Sequence, residues 1–341
     1  MEAALYDPTH GFFATGGGPA SRRDFVTSPE TGPLFGILVA RALDRWWEEL
    51  GRPARFTVVE AGAGDGRLAR EVLRAEPACA GSLEYMLVER SAAARAAQVE
   101  RLAPARGTGA TVRSLEDLPD EPIVGVVLAN ELLDNLPFDL AERTEDGWCE
   151  IRVGWRDGFV EVPTPLAEAR AADLPNEAGL GARLPLPIGV DAWMARAGAL
   201  VAEGGVLLID YMATSAELAT RGGWLRTYRD HRRGSDPFAA PGATDITADV
   251  RLEPLRAALD AAGLTDRREE AQADWLHALG LADLLAEGEA TWRAGAATGD
   301  LAALAGRSRG VEAANLTDSA GLGGFTVCTA RRAPRPAGAD G

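Results

Sequence analysis

The stretch Phe56-Thr-Val-Val-Glu60-Ala-Gly62-Ala-Gly64-Asp-Gly66-Arg67-Leu68 sets a carboxylate against three glycines on alternate positions. Glycine has no Cβ, so Gly62, Gly64 and Gly66 permit a sharp turn and let a ligand press on main-chain atoms. The spacing is not the G-x-G-x-x-G of a dinucleotide turn, because Arg67 stands where the third glycine would fall. Glu60 sharpens the distinction, since a carboxylate repels a pyrophosphate but attracts an ammonium and a sulfonium. The charge favours S-adenosylmethionine as ligand. A second acid, Glu89, closes the apolar run Leu83 to Val88, where a carboxylate can accept hydrogen bonds from both ribose hydroxyls. Glu89 points to a nucleotide without choosing which.

The second chemical stretch is Asn130-Glu131-Leu-Leu-Asp134-Asn135-Leu-Pro137, directly after the apolar run Ile123 to Leu128. Polar groups at the end of a buried strand are costly unless something polar meets them. Glu131 and Asp134 are therefore candidates to meet a polar reacting group. Asn130 would contact the methionine moiety or the attacking nitrogen. Helix capping is the alternative for Asn130 or Asp134 but leaves Glu131 unexplained. Glu116, just after a weak strand from Thr111 to Ser114, is a candidate for the adenine amino group, and a solvated acid is the alternative. His231 and Asp245 are weaker candidates for substrate contact, with a packed structural histidine equally open for the first.

The elements that must position these groups alternate in period. Phe56 to Val59, Leu83 to Val88, Ile123 to Leu128 and Val206 to Asp210 are buried-strand runs. Helical spacing follows several of them: Leu68, Val72 and Leu73, with Asp65 as a cap; a helix from Ser91 to about Leu102; and a helix capped by Asp191 and ended at Gly204-Gly205. Ahead of them Phe35 to Leu50 repeats as a helix, and behind them Leu252 to Leu259 and Asp274 to Leu285 do the same. From Trp148 to Val162 the period becomes two around Asp157-Gly158, a hairpin signal. Residues 212–249 read as a long loop. A strand from Phe325 to Thr329 closes the pattern.

Bulk properties narrow the classes. The chain has 341 residues and 51 acids against 35 bases, a net charge of −16, which argues against nucleic-acid backbone binding and suits a basic substrate or solubility. All the bases are arginine. Cys79, Cys149 and Cys328 are scattered without C-x-x-C spacing and far from the three histidines, so no metal site or disulfide framework is readable. No leader pattern and no run of about 18 apolar residues is present, so a reducing, cytoplasmic setting is expected.

Several motifs together resemble one family: Tyr6-Asp7-Pro8 with Gly11-Phe12-Phe13, Asp24-Phe25-x-Thr27-Ser28-Pro29-Glu30, Glu60-x-Gly-x-Gly, Asn130 to Pro137, Gly204-Gly205 to Asp210-Tyr211, and Pro241-Gly242-x-x-Asp245-Ile246-Thr247. The resemblance is to the MidA-type S-adenosylmethionine-dependent methyltransferases, whose mitochondrial member is a complex I assembly factor that dimethylates an arginine. It covers about residues 2 to 331. One departure is Met212, where the family usually has glycine; another is the start at the tyrosine motif, without the helical lead-in often found in the family. The resemblance implies an α/β fold: a Rossmann-like, seven-stranded class I methyltransferase sheet with an N-terminal lid segment and an inserted β subdomain. Period and composition divide the chain into a lid and helix (1–52), a first core half (53–137), the insertion (138–190), a second core half (191–331) with a substrate loop (212–249), and a disordered tail (332–341). Asp24, Thr27 and Ser28 would fold over the cofactor beside Glu60, the three glycines, Glu89, Glu116 and Asn130. A protein arginine is the implied acceptor, its guanidinium held by Glu131 and Asp134 as paired acids that stabilise charge as the nitrogen gains a methyl group, with a complex I-type subunit as partner. A small molecule or another protein side chain stays open as acceptor, as does a non-catalytic, cofactor-binding assembly chaperone; a dehydrogenase is disfavoured by Arg67 and Glu60.

Overall fold

The structure is a computed structural model and describes residues 1–15, 27–103, 107, 109–229 and 232–332. It contains two compact units. The first is built on a seven-stranded sheet: β1 Phe56–Ala61, β2 Leu83–Val88, β3 Thr111–Leu115, β4 Ile123–Asn130, β5 Val201–Asp210, β6 Leu264–Ala271 and β7 Thr326–Arg332, in the spatial order β6-β7-β5-β4-β1-β2-β3. β1 pairs in parallel with β2 and β4, β2 with β3, and β4 with β5. Every residue of β1 is buried, as expected of a central parallel strand covered on both faces. The chain moves outward from β1 through β2 to β3, then returns to β4 on the other side. Strand order therefore reverses between β1 and β4, and open sheets bind ligands outside the carboxyl ends at such a point.

Two glycines deep in this sheet correct the sequence reading. Gly204 and Gly205 do not end a helix; the helix Ile188–Leu200 runs directly into β5, and both glycines lie inside the strand. A Cβ on Gly204 would sit 2.0 Å from the carbonyl oxygen of Gly125 on β4, and one on Gly205 2.0 Å from that of Ala330 on β7. The backbones approach too closely for any side chain. Asp191 stands in the first turn of that helix, not at its cap. β6 escaped sequence reading because its residues Thr265 to Glu270 are all polar, exposed or half-buried, leaving no apolar alternation to read. The segment after it holds two helices where one was expected, Gln272–Ala278 and Leu281–Gly295, separated by Gly280 in the left-handed conformation, and a further helix, Leu301–Thr317.

The second unit comprises residues 1–24, 131–199 and 210–264. This partition differs from the linear one: the helix Pro33–Glu49 belongs with the seven-stranded sheet, whereas the N-terminal segment and residues 210–264 group with the insertion. Within the insertion, strands Asp139–Thr144, Gly147–Trp155, Phe159–Pro165 and Arg183–Leu186 form an antiparallel sheet whose hairpin turns at Asp157-Gly158. Ala141, Leu184, Leu186, Leu218 and Trp224 make its core. Residues 212–249 are not a structureless loop. They hold the helix Ser215–Arg221, capped by Thr214, and strands Leu225–Arg229, Arg232–Gly234 and Asp245–Ala248 in one antiparallel sheet. Short strands rich in arginine and tyrosine carry little apolar pattern, and their order comes from pairing. Residues from 333 onward in the expected tail lie outside the described residues.

Candidate functional site

In the sheet unit the glycine turn follows β1. Gly62, Gly64 and Gly66 have φ of 71°, 54° and 81°, all in the left-handed region that only glycine adopts at little cost. The amides of Gly62 and Ala63 donate to the carbonyl of Val88 at 2.9 and 3.1 Å, so the turn folds back on the end of β2. Glu89 completes the tie: one carboxylate oxygen accepts from the Gly64 amide at 2.9 Å and the other from the Ser91 amide at 2.8 Å. Each oxygen keeps a lone pair for a further donor, which suits a pair of hydroxyls. Ser91 caps the helix Ala92–Arg101 through the Ala94 amide. Asp65 does not cap its helix; Gly66 occupies that position and Asp65 pairs with Arg101.

Gln98 is a residue the sequence did not mark. Fully buried in the helix Ala92–Arg101, it donates from Nε2 to the Gly64 carbonyl at 2.7 Å and accepts from the Ser114 hydroxyl at 2.6 Å. It thereby locks the glycine turn to β3. No periodicity singles it out in an alanine-rich helix. Arg95, on the same helix, donates to the Glu89 carbonyl at 2.7 Å and to exposed Glu116 at 3.2 Å, which tethers Glu116 at the carboxyl edge of the sheet.

Glu60 corrects the charge argument. It is buried and accepts from the Tyr85 hydroxyl at 2.8 Å; burial first, then the charges of Asp65 and Glu89, push its carboxyl up to about 8 despite that hydrogen bond. At neutral pH it is mostly protonated, so its attraction for a cation is not the full Coulombic one that a charged carboxylate would exert. Ser28 is likewise turned to packing: fully buried, it donates to Gln272 Oε1 at 3.1 Å, so its side chain does not fold over a ligand. Thr27 forms a capping box with Glu30 around the turn Ser28–Glu30. Asp24 and His231 lie outside the described residues.

In the other unit the stretch after β4 forms an acid cluster. Glu131 has φ of 52°, a strained left-handed conformation for a side-chain-bearing residue, and such strain persists only where surroundings impose it. Asp210, almost fully buried, accepts from the amides of Leu133 at 2.8 Å, Asp134 at 3.3 Å and Tyr211 at 2.8 Å, and so shapes the turn Leu133–Asn135. Burial and then the neighbouring charge of Asp134 hold the Asp210 carboxyl well above the usual carboxylate range, with Glu131 adding to the effect. Burial, followed by the charge of Glu131, also raises the Tyr211 phenol. Asn135 fixes the turn from the far side, donating to Asp245 Oδ1 at 3.2 Å and the Ile246 carbonyl at 3.0 Å, while its own carbonyl accepts from Tyr6 at 3.0 Å. Tyr6 stacks on Phe13, so the N-terminal aromatic segment is a platform under the acid turn. Asn130, the last residue of β4, pairs in register with Ile209, and Glu131 and Asp210 are the next residues along each chain. Sequence reading named Asp245 only as a weaker candidate and missed Asp210, whose role is visible only through its three amide partners.

A sequence model of a family of S-adenosyl-L-methionine-dependent methyltransferases matches residues 38–286 of the chain. The chain belongs to that family. A Burkholderia thailandensis protein whose crystal structure holds S-adenosyl-homocysteine is 33% identical, with a TM-score of 0.84 over 97% of this chain and 86% of that one. Among curated relatives, the mitochondrial protein arginine methyltransferase NDUFAF7 homolog of Drosophila melanogaster is 29% identical over 301 residues, covering 77% of this chain and 66% of that protein. The human protein arginine methyltransferase NDUFAF7 is 26% identical over 287 residues, covering 75% of this chain and 63% of its own length. The chain thus spans a little under two thirds of the curated relatives' length. Its cofactor is S-adenosylmethionine, and the residues present fit that group: three left-handed glycines bare the backbone, and half-buried Glu89 retains acceptor capacity at the end of β2. The seven-stranded sheet implied by the resemblance is the one observed. Among the described residues no group of three or more metal-ligating side chains occurs, and no helix is long and apolar enough to cross a membrane.

Proposed function

We propose that this methyltransferase modifies a guanidinium nitrogen of a protein arginine. The observation that carries the reading is the crowding of Glu131, Asp134 and Asp210 beside Tyr211, with Asp210 driven toward its neutral form by burial and by Asp134. A cluster of acids that cannot all ionise in isolation gains most from a cationic occupant, because each approaching positive charge relieves both their repulsion and their desolvation. S-adenosylmethionine, when bound, supplies an electrophilic methyl carbon. The chain's part is to orient the acceptor: Asp134 and Glu131 accept N–H bonds from the planar guanidinium, and a Glu131 oxygen takes the proton that nitrogen sheds as it gains a carbon. Asn130 and Asp245 assist as hydrogen-bonding groups, and Gly62, Gly64, Gly66, Glu60, Glu89 and Glu116 serve the donor.

Support also comes from the named relatives, which are mitochondrial protein arginine methyltransferases. For this chain the acceptor proposed is an arginine on a respiratory complex I-type subunit, met in the cytoplasm. The test is incubation with methyl-labelled S-adenosylmethionine and an extract or arginine peptides, with mass spectrometry of hydrolysed product. Methylated arginine that disappears in Glu131→Gln supports the reading. Label found in a small molecule, or on lysine or a carboxyl side chain, overturns it.

A further inference from the structure

The antiparallel sheet of the insertion has one face that is only partly covered. Its register sets Trp155 opposite Phe159, Val153 opposite Glu161, and Ile151 opposite Leu140 and Pro163, and residues two apart on a strand share a face. Those groups therefore lie together. Leu140 and Arg183 line one wall of a groove of about 520 Å³ whose other wall is the helix Ser215–Arg221 and the turn to Trp224. Beyond the groove Trp155 is 72%, Val153 60% and Phe159 45% exposed. The two regions are continuous: Arg183 reaches from the groove wall to Glu161 at 2.6 Å, and Ser235 in the groove runs on to Phe238, whose ring lies 5.9 Å from that of Phe159. Contiguous apolar surface rimmed by polar groups marks a site of interaction.

The lips of the groove are bare backbone, because no atom stands within 4 Å of where a Cβ would sit on Gly179, Gly181, Gly222 or Gly223, and bare backbone suits an extended peptide. Charge selects the sign of the visitor. Both groove arginines are paired, Arg183 with Glu142 and Glu161 and Arg221 with Asp249, while the chain carries a net −16, which attracts a basic segment and repels an anionic bilayer or a second copy. Position ties the face to the acid turn. Chain length keeps Leu140 within about 20 Å of Asp134, and Trp155 stands about 13 Å along its strand from Ile151, the partner of Leu140. An extended span of at most roughly ten residues therefore reaches from the acid turn to Trp155. The outer strand Phe159–Pro165 resists strand addition, since Pro163 and Pro165 lack an N–H, so Trp155 and Phe159 offer side chains as the contact.

We infer that this face is the docking groove for the protein acceptor of this methyltransferase: an extended, basic segment that seats a large apolar side chain against Trp155 and Phe159 while its target residue lies at the acid turn. The inference rests on the proposed function for the choice of a protein as acceptor; the docking itself is read without turnover.

Two capped, fluorescein-labelled peptides test it on the full chain. Both carry a single arginine among glycine, serine and lysine; one adds a leucine–phenylalanine pair about ten residues to either side of the arginine, and the other has alanines there. Fluorescence anisotropy reads binding, and incorporation from methyl-labelled S-adenosylmethionine reads turnover. The anchored peptide should bind roughly 10- to 100-fold more tightly, the gain expected from burying one large apolar side chain. Trp155→Ser combined with Phe159→Ser should erase that gain and leave the affinity for S-adenosylhomocysteine, measured by calorimetry, as it was. Thermal melting checks the fold; if the double variant melts early, Leu180→Ser, at the lip of the groove and 69% exposed, carries the comparison. Anchored binding without methylated arginine sinks the arginine proposal and leaves this one standing, whereas methylated arginine with no gain from the anchor overturns the docking alone. Equal binding of the two peptides, or a gain that the variants leave untouched, also overturns it. So does a parent dimer in sedimentation, or binding to vesicles of phosphatidylglycerol and phosphatidylcholine, that the double variant loses.

Discussion

Replacing Glu60 by glutamine separates two roles that the sequence merged into one. The carboxyl is buried, and burial is the main cause of its rise from 4.5 to about 8. A group whose folded value is raised contributes stability that is fully present below its unfolded value and is lost as pH climbs to the folded one. The window for Glu60 therefore runs from about pH 4.5 to pH 8. At about 1.4 kcal/mol for each pH unit, the loss amounts to about 3 kcal/mol by pH 7 and about 5 kcal/mol above pH 8. Glutamine cannot ionise, yet it keeps an oxygen to accept from Tyr85, which donates at 2.8 Å. Its buried amide nitrogen needs a partner and returns about 1 kcal/mol of the gain. The variant should fall about 1 kcal/mol short of the parent near pH 4.5, then exceed it by about 2 kcal/mol at pH 7 and about 4 kcal/mol at pH 9. Denaturation midpoints measured at each pH give the difference. The same change should weaken S-adenosylmethionine binding, and the parent's affinity for the donor should rise between about pH 6 and pH 8 while the variant's stays flat. A stability gap that does not grow with pH would refute the reasoning, because it would mean that Glu60 ionises without cost where it stands.

Other expectations follow from single contacts. Glu131→Gly removes the side chain and relieves the left-handed strain, so stability should hold or rise by about 1 kcal/mol while methyl transfer falls by roughly 100-fold or more; thermal melts and label incorporation check both. Gln98→Ala unties Gly64 from Ser114, and calorimetry should show S-adenosylhomocysteine binding about 10-fold more weakly. Asn135→Ala removes the bonds to Asp245 and Ile246 and should cost about 1–3 kcal/mol, with turnover lowered more than donor affinity. For an arginine peptide, KM should climb steeply from about 0.05 to about 0.3 M salt, whereas a neutral acceptor would show no such trend.

What the sequence disclosed was where backbone conformation or strand burial demands a particular residue. Gly62, Gly64 and Gly66 declare a turn because few other residues adopt that backbone, and Phe56 to Val59 declares a central strand because its short run is mostly apolar and β-branched. Glu131 stood out because no bland role explains it. The rest depended on pairing that sequence order hides. Polar β6 is a strand because β7 lies beside it, and the stretch read as a loop orders itself through Tyr228 pairing with Asp245. Gln98 meets Ser114 16 residues away and Asp210 meets Leu133 77 residues away, both beyond any local window. Glu60 failed in the opposite way: its type was legible, but its charge state depends on how deeply it is enclosed.

Asn135 is gripped by Tyr6, made 129 residues earlier, and by Ile246, made 111 residues later. During synthesis the acid turn must therefore wait, half assembled, until the ribosome has passed far beyond it. A chain cut short before residue 246 would lack the clasp that gives its carboxylates a fixed bearing, and β6 and β7 of the sheet as well.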